Sequence, residues 1–378
     1  MGKFTHQPTN KTLIIKRLQK TMSRSEFGFI DYIKDSFAQC TNNIGVTRKI
    51  GDTRAGEDGR TKGIGDDCAV IPINRQIDAN KYLTKESDRD TKGFSDSDEI
   101  LFSTDLLMEG VHFLREESSP EDVGWKSAAV NLSDIAAMGG SPVATFLSIA
   151  LPKDAQGEWA ERFIAGYAQI SRQYDVPLLG GDTTSSLRDI AINVGVMGKC
   201  PAGKALYRDG ARVGDTVFVT GPLGDSAGGL QVILKGVERG AEEAVLVERH
   251  KRPVPRVAEG KALRETGLVG AMMDISDGIA SDLRHILKAS EVGAEVDLAR
   301  LPISEELAST CKKYGWDALE LAAGGGEDFE LLFTAPAEIA DMVNFPIYPI
   351  GRIVAGSELR WLYKGSQSAF DTTGYKHF

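Results

Sequence analysis

Five stretches of this chain end an apolar run with an acidic side chain and a turn. Asp66 and Asp67 close GIGDD, Asp105 follows FST, and Asp134 sits in NLSDIAAMGG; Asp182 follows LLGG, and Asp274 and Asp277 punctuate MMDISDG. Adjacent carboxylates repel, so a pair such as Asp66 and Asp67 stays in water, shares a proton or meets a cation. Carboxylates at strand ends can converge on one crevice. Such a cluster is tolerable when cations fill it, and hard oxygen ligands select Mg²⁺ or Ca²⁺. Taken singly, an aspartate after a strand is more often a turn residue or a helix cap, and Ser276 and Asp277 ahead of GIASDLRHIL suit capping. The recurrence of the pattern is what points to a cation site.

Glycines accompany the acids. The GG of LLGGDT and the run GPLGDSAGG from Gly221 let backbone approach a ligand closely, and helix N-termini behind them could hold phosphate oxygens. No G-x-x-x-x-G-K-[ST] occurs, because GK at Gly198, Gly203 and Gly260 is followed by Cys, Ala and Ala, and no G-x-G-x-x-G follows a strand. A nucleotide would therefore be held through metals on carboxylates. Of 5 histidines, His112 in EGVHF lies near a strand-end acid, and no Ser/His/Asp arrangement is legible. Chemistry that uses several Mg²⁺ ions and no general base is phosphoryl transfer onto an acceptor already ionised, such as a phosphate.

The chain must hold these residues on about two domains, given 378 residues and the usual ~100 to 200 per domain. Hydrophobic residues at 42% and charged residues at 26% describe a soluble globular protein. The net charge of -10 disfavours nucleic acid as a partner. Four cysteines, Cys40, Cys68, Cys200 and Cys311, are too scattered for a zinc site or a disulfide framework and read as free thiols of a cytoplasmic protein. The longest apolar run, VATFLSIAL, is about half the ~20 residues of a membrane span. Residues 1–24 read as an N-terminal extension without the features of a signal peptide, with Met22 an alternative start.

From Ser25, SEFGFIDYIKDSF spaces Phe27, Ile30, Ile33 and Phe37 for an amphipathic helix. Residues 75–99 are polar and charged and read as a solvated loop insertion. Strands are expected at ILFSTD, VATFLSIALP, VPLLGG, IAINVGVMG, DTVFVTG, MMDIS, AEVDLARLP, FELLFTA and IYPIGRIV, with helices at SPEDVGWKSAAVNLSDIAAM and SDGIASDLRHILKAS. In the first of these helices Ala128, Leu132, Ile135 and Ala136 form one apolar arc with Asn131 and Asp134 beside it, so the helix is expected to bury one side and present Asp134 from the other. The Gly-rich, charged segment from Cys200 to Asp215 marks a boundary between a first domain at 25–200 and a second at 201–378. No fixed-period repeat is present.

GIGDDCAVI, STDLLMEGVHF, GWKSAAVNLSDIAAMGGSP, LLGGDTTSS, YRDGARVGDTVFVTGPLGDSAGGL, DISDGIASDL, GGGEDFELLFT and GYKHF, in this order, resemble the thiamine-monophosphate kinases of the aminoimidazole ribonucleotide synthetase-like superfamily, from about Ser25 to Phe378. The resemblance implies an α/β domain whose sheet pairs with a second subunit in a homodimer, an α+β domain with mixed sheets and packed helices, and a site between them. It also implies phosphorylation of thiamine monophosphate to thiamine diphosphate by ATP with several Mg²⁺ ions. By matching motifs, Asp67, Ser103, Thr104, Asp105, Asp134, Asp182, Asp274 and Asp277 resemble metal ligands. Gly181, Asp182, Arg208 and Ser276 resemble ATP contacts, and His112, Glu327 and Tyr375 substrate contacts. An acidic Glu327 and an aromatic Tyr375 suit a cationic thiazolium and a pyrimidine, and a permanently charged Arg208 suits phosphate.

The chain departs from the family pattern at Phe329, where a tyrosine is usual, in the long 75–99 segment and in the N-terminal extension. Two other readings compete with the kinase. One is a superfamily relative that activates a different acceptor with ATP, an amide oxygen or selenide. The other is a non-catalytic Mg²⁺-nucleotide binding protein, whose signature is binding without turnover.

Overall fold

The computed structural model describes residues 67–72 and 97–370. The expected helix after Ser25, the N-terminal extension, Asp66, most of the charged segment and Tyr375 lie outside the described residues. The end of that segment does differ from expectation. Strand β2, Asp98–Met108, begins inside it, because Asp98 and Glu99 pair with Pro201 and Cys200 across the sheet.

The first sheet has the order β1-β2-β5-β3-β4. Strand β1 is Ala69–Pro72, β3 Ser141–Leu151, β4 Leu178–Ser185 and β5 Ala191–Pro201. All its pairings are antiparallel except β3 with β4. Along β2 the pleat alternates: Leu101 and Leu107 are buried, with Ser103 and Asp105 on the same side, while Phe102, Thr104 and Leu106 are exposed on the other. The covered face packs on helix α1, Pro120–Ala137, which in turn packs on α2, Glu158–Tyr174. Phe163, Tyr167, Leu132, Ile135, Ile192 and Val194 belong to this core.

Helix α1 starts where its sequence says it should. Ser119 accepts a hydrogen bond from the Asp122 amide (3.1 Å), Asp122 accepts one from the Ser119 amide (3.3 Å), and Pro120 fills the first turn, where its missing N–H is no loss. Its environment corrects the one-sided burial expected from the sequence. The helix touches β2, β3 and β5 on one side and α2 and a strand of the second sheet on others, so from Val123 to Met138 every residue is buried except Asp134. A helix hemmed in all round cannot show an amphipathic stripe.

The second sheet has seven strands, ordered β12-β11-β8-β10-β6-β9-β7. They are β6 Thr216–Val219, β7 Ala271–Asp274, β8 Gly293–Asp297, β9 Leu331–Ala335, β10 Tyr348–Val354, β11 Leu359–Tyr363 and β12 Ser366–Gln367. Helices α3 (Asp225–Lys235), α4 (Ala241–Lys251), α5 (Val257–Thr266), α6 (Ile279–Ser290), α7 (Glu305–Tyr314) and α8 (Ala318–Gly324) accompany it. Its core gathers Val217, Val219 and Leu332 from the strands with Leu283 and Ile286 from α6. Helix α6 starts one residue later than an Asp277 cap, and two later than a Ser276 cap, would require. Its N-cap is Gly278, whose position has no side-chain cap.

Candidate active site

Four elements deliver the acids to one place. Asp67 stands just ahead of β1, Asp105 on the covered face of β2, Asp134 is the half-open position of α1, and Asp274 ends β7. One carboxylate oxygen from each of Asp67, Asp134 and Asp274 lies within 4.8 Å of the others. The pleat of β2 explains why Ser103 and Asp105 reach this side. Ser103 Oγ donates to Asp134 Oδ2 at 2.5 Å, and Ser133 Oγ, from the buried face of α1, donates to Asp274 Oδ2 at 2.5 Å. Each serine fixes one oxygen of an acid. Arg208 pairs with Asp67, the cationic partner closest to the group among the described contacts.

Crowding and burial leave their mark on these acids. Burial and the neighbouring Asp67 push Asp105 up to about 6 and Asp274 up to about 7 from the ordinary 3.8. Burial, with Asp105, Asp274 and Asp67, holds Asp134 well above its usual value against the Ser103 bond. Asp282, one turn into α6, is also pushed up, by burial and then by Asp277 and Asp274, and it accepts a hydrogen bond from the Asp277 amide at 3.1 Å. It was not singled out in the sequence, although its spacing from Asp277 in DGIASD was the available signal.

Other anticipated residues fall elsewhere. Thr104 turns its side chain to the uncovered face of the sheet, where Asn193 Nδ2 donates to its Oγ1 at 2.8 Å. Asp182 lies on β4, exposed, at the far edge of the same sheet, with its carboxylate accepting from the Thr183 amide at 3.0 Å. Gly181 has φ +156°, and a Cβ there would sit 1.7 Å from the Leu147 carbonyl oxygen, so strand packing alone demands glycine. The GPLGDSAGG run also differs from its expected part. A Cβ at Gly229 would lie 2.2 Å from the Leu246 carbonyl, so this glycine serves the packing of α3 on α4. The N-terminus of α3 is already occupied: Asp328 accepts from the Gly224 amide at 2.6 Å and from the Ser226 amide at 3.1 Å. An internal carboxylate stands where a phosphate was expected.

A second group of polar residues lines a small cleft bordered by His112, Asp122, Lys126 and His250. Ser276 links it to the acids, its carbonyl accepting from the Glu327 amide at 2.8 Å. Lys126 Nζ donates to Glu327 Oε2 at 2.9 Å and to the His112 carbonyl at 3.2 Å. His112 itself is pinned, its Nδ1 accepting from the Met108 amide at 2.9 Å. His250 Nδ1 lies 3.4 Å from Glu327 Oε2 and 3.0 Å from Ser226 Oγ. Burial, then Lys126, drives His250 down to about 3, so the ring is neutral. Burial disfavours the Glu327 carboxylate, but the neighbouring Lys126 ammonium outweighs it and holds the group below its ordinary value. Lys126 and His250 were missed in the sequence; the one basic residue of a helix whose neighbouring positions run VGW and SAAV was the sign. Phe329, in place of tyrosine, is buried in the first core and makes no polar contact there.

Comparison with known proteins agrees with this construction. Residues 65–200 match the N-terminal domain, and residues 212–363 the C-terminal domain, of the AIR synthase related proteins. The two matched domains define a member of that class, and the solved hydrogenase maturation protein HypE shares the fold at 18% identity and a TM-score of 0.59. Thiamine-monophosphate kinase of Escherichia coli K12 is 38% identical over 326 residues, covering 84% of this chain and 91% of that protein. The Aquifex aeolicus enzyme is 39% identical over 358 residues, covering 93% and 98%. A solved structure of AaThiL complexed with AMPPCP and TMP superposes with a TM-score of 0.75 at 34% identity, covering both chains fully. The chain belongs to the thiamine-monophosphate kinase family.

Proposed function

We propose that the chain transfers the γ-phosphoryl group of ATP to the phosphate of thiamine monophosphate, yielding thiamine diphosphate and ADP, at the acids gathered around Asp134. The reading is carried by the convergence of Asp67, Asp134 and Asp274 within 4.8 Å, on a chain of this family. Three hard oxygen donors, two of which, Asp134 and Asp274, are held above the ordinary carboxylate range by burial and neighbouring acids, fit a divalent cation. Asp67, Asp105, Asp134 and Asp274 would hold Mg²⁺, with Ser103 and Asp277 assigned beside them on the resemblance, which also assigns Thr104 and Asp182 from the uncovered face and the far edge of the sheet. When bound, Mg²⁺ neutralises phosphoryl oxygens and polarises the γ-phosphorus.

The chain's own side chains do the rest. Ser103 and Ser133 hold two of the carboxylates on one oxygen each. Arg208, with Gly181, Asp182 and Ser276, is assigned to ATP, and its permanent charge suits the phosphates. An oxygen of the acceptor phosphate forms the new bond to the γ-phosphorus as the bond to the β,γ-bridging oxygen breaks and leaves with ADP. The acceptor is already an anion, so no side chain has to remove a proton. Glu327 faces the cationic thiazolium, His112 lies across the cleft and Tyr375 supplies an aromatic face.

The same reading includes a homodimer. Phe102, Leu106 and Phe146 are 40%, 53% and 38% exposed on the uncovered sheet face, and β4 is exposed along its whole length, including Leu178 and Leu179. An apolar sheet face with an open edge strand favours a partner sheet. Free, buried Cys68, Cys200 and Cys311 suit a reducing cytoplasm, and no helix of the described residues is long and apolar enough to cross a membrane. Two domains, 25–200 and 201–378 after a 1–24 extension, would carry the two sheets.

The test is ³¹P NMR of the protein with ATP, Mg²⁺ and thiamine monophosphate. Thiamine diphosphate and ADP should appear together, and neither should form with EDTA or with free thiamine in place of the monophosphate. ATP left intact under the complete conditions would refute the kinase reading.

A further inference from the structure

The Lys126 ammonium is the most enclosed charge in the second group, with 4% of its side chain exposed, yet it sits in the middle of α1 among small and apolar residues. Burying a lysine costs several kcal/mol unless it is paired and hydrogen-bonded. Its partners are Glu327, 201 positions away in sequence, and the main-chain carbonyl of His112. Glu327 in turn holds a backbone φ of +63°, a conformation rare for a residue with a side chain. Lys126 donates to Oε2 and the His250 ring lies 3.4 Å from the same oxygen; no described residue donates to Oε1, and the side chain keeps 28% exposure. The carboxylate is thus gripped on one oxygen and presented on the other.

Resting on the substrate role proposed for Glu327, we infer that Lys126 is a positioning residue for the thiamine monophosphate pocket. It touches no substrate itself. Its ammonium fixes the Glu327 carboxylate and the His112 backbone to one point, so that the free Oε1 meets the cationic ring at a set place and Glu327 remains ionised while largely enclosed. A neutral residue of similar length would leave the carboxylate unanchored and its charge uncompensated. The nucleotide, held by the separate acids around Asp134, would be unaffected.

Steady-state kinetics of the full chain test this, with each substrate varied at saturating levels of the other. Lys126→Met should raise KM for thiamine monophosphate at least tenfold, with KM for ATP and kcat changed less than about threefold. Glu327→Gln should raise the same KM, and adding Lys126→Met to it should raise it little further, because the lysine acts through the carboxylate. If Lys126→Met fails to fold by thermal melting, the double variant, which removes both charges together, carries the comparison against Glu327→Gln. Equal effects on both substrates, or a full additional loss in the double variant, would show a general structural role and overturn the inference. A raised KM in Glu327→Gln with none in Lys126→Met would overturn it alone. An unchanged KM in Glu327→Gln would remove the substrate role of Glu327 and the inference with it.

Discussion

Replacing Asp134 by asparagine should separate a cation site from a set of structural hydrogen bonds, because the two predict opposite signs for the metal-free protein. Asp134 faces Asp67 and Asp274 with ligand oxygens within 4.8 Å. Two unit charges about 5 Å apart interact by about 3 kcal/mol at an effective dielectric of about 20. Full ionisation of all three would therefore set Asp134 against about 6 kcal/mol of repulsion. The protein escapes part of this by retaining protons, as the raised values of Asp134 and Asp274 show, and by pairing Asp67 with Arg208. The introduced amide keeps an oxygen for the Ser103 hydroxyl and removes the charge, so without metal Asp134→Asn should gain about 1 to 3 kcal/mol, a rise of a few degrees in Tm. Mg²⁺ works in the opposite direction, favouring the parent. At about 100 times its dissociation constant a ligand adds about 2.7 kcal/mol, whereas a site weakened about 100-fold gains about 0.4 at the same concentration. Thermal melts at about pH 8, with EDTA and across a Mg²⁺ series, read both quantities, and turnover should fall at least about 100-fold. A variant that melts lower than the parent in EDTA and gains as much from Mg²⁺ would refute the cation site and leave Asp134 as an acceptor for Ser103.

Two further outcomes are expected. Because Asp274 and Asp105 titrate near 7 and 6 in the folded chain and near 3.8 otherwise, the folded state holds protons that the unfolded state has released. Their contribution is full below about pH 4 and is lost as pH rises through about 6 to 7, so urea unfolding in EDTA should give a lower midpoint at pH 8 than at pH 5. Saturating Mg²⁺ should flatten or invert that trend, since protons and metal compete for the same oxygens, and a metal-free midpoint that climbs from pH 5 to pH 8 would contradict the crowding. Leu106→Glu places a charge in the centre of the uncovered face, where the residue is 53% exposed, and should convert a dimer to a monomer in sedimentation velocity with little change in Tm. A parent that sediments as a monomer, or a variant that stays dimeric, would exclude this face as the interface.

Much of the scaffold was legible because it obeys short-range rules. The cap of α1 at Ser119 is a four-residue pattern, and the nine expected strands coincide with β2 to β10 because their β-branched and apolar runs are bounded by turn residues. The acids of the site were legible as a recurring strand-end pattern. Their partition was not. That Thr104 and Asp105 face opposite sides follows from the pleat, but which side is covered depends on where α1 docks, and Asp182 is carried to the far edge by a strand order no single run encodes. Lys126 escaped for the related reason that its partner is 201 positions away. The family motifs assign roles without saying which contacts hold each residue in place.

GGGEDFE illustrates how closely those contacts are shared. Within four consecutive residues Glu327 meets Lys126 of α1, Asp328 caps α3, Phe329 enters the first core, and Glu330 accepts from Thr220 Oγ1 at 2.7 Å and Arg256 Nε at 2.8 Å. Two of the four carry positive φ, Glu327 at 63° and Phe329 at 51°. Conformations of that kind cost about 1 to 3 kcal/mol each and persist only where the surroundings over-determine them. Here the determination comes from backbone bonds to the strand-end segment after Asp274: the Glu327 and Phe329 amides donate to the Ser276 and Ile275 carbonyls at 2.8 and 2.9 Å. The segment that supplies Asp274 to the acids and the segment that supplies Glu327 to the cleft are therefore one hydrogen-bonded unit. On the proposed reading, the groups assigned to metal and to substrate are set relative to one another by the backbone itself, an arrangement that suits in-line transfer between two bound phosphates.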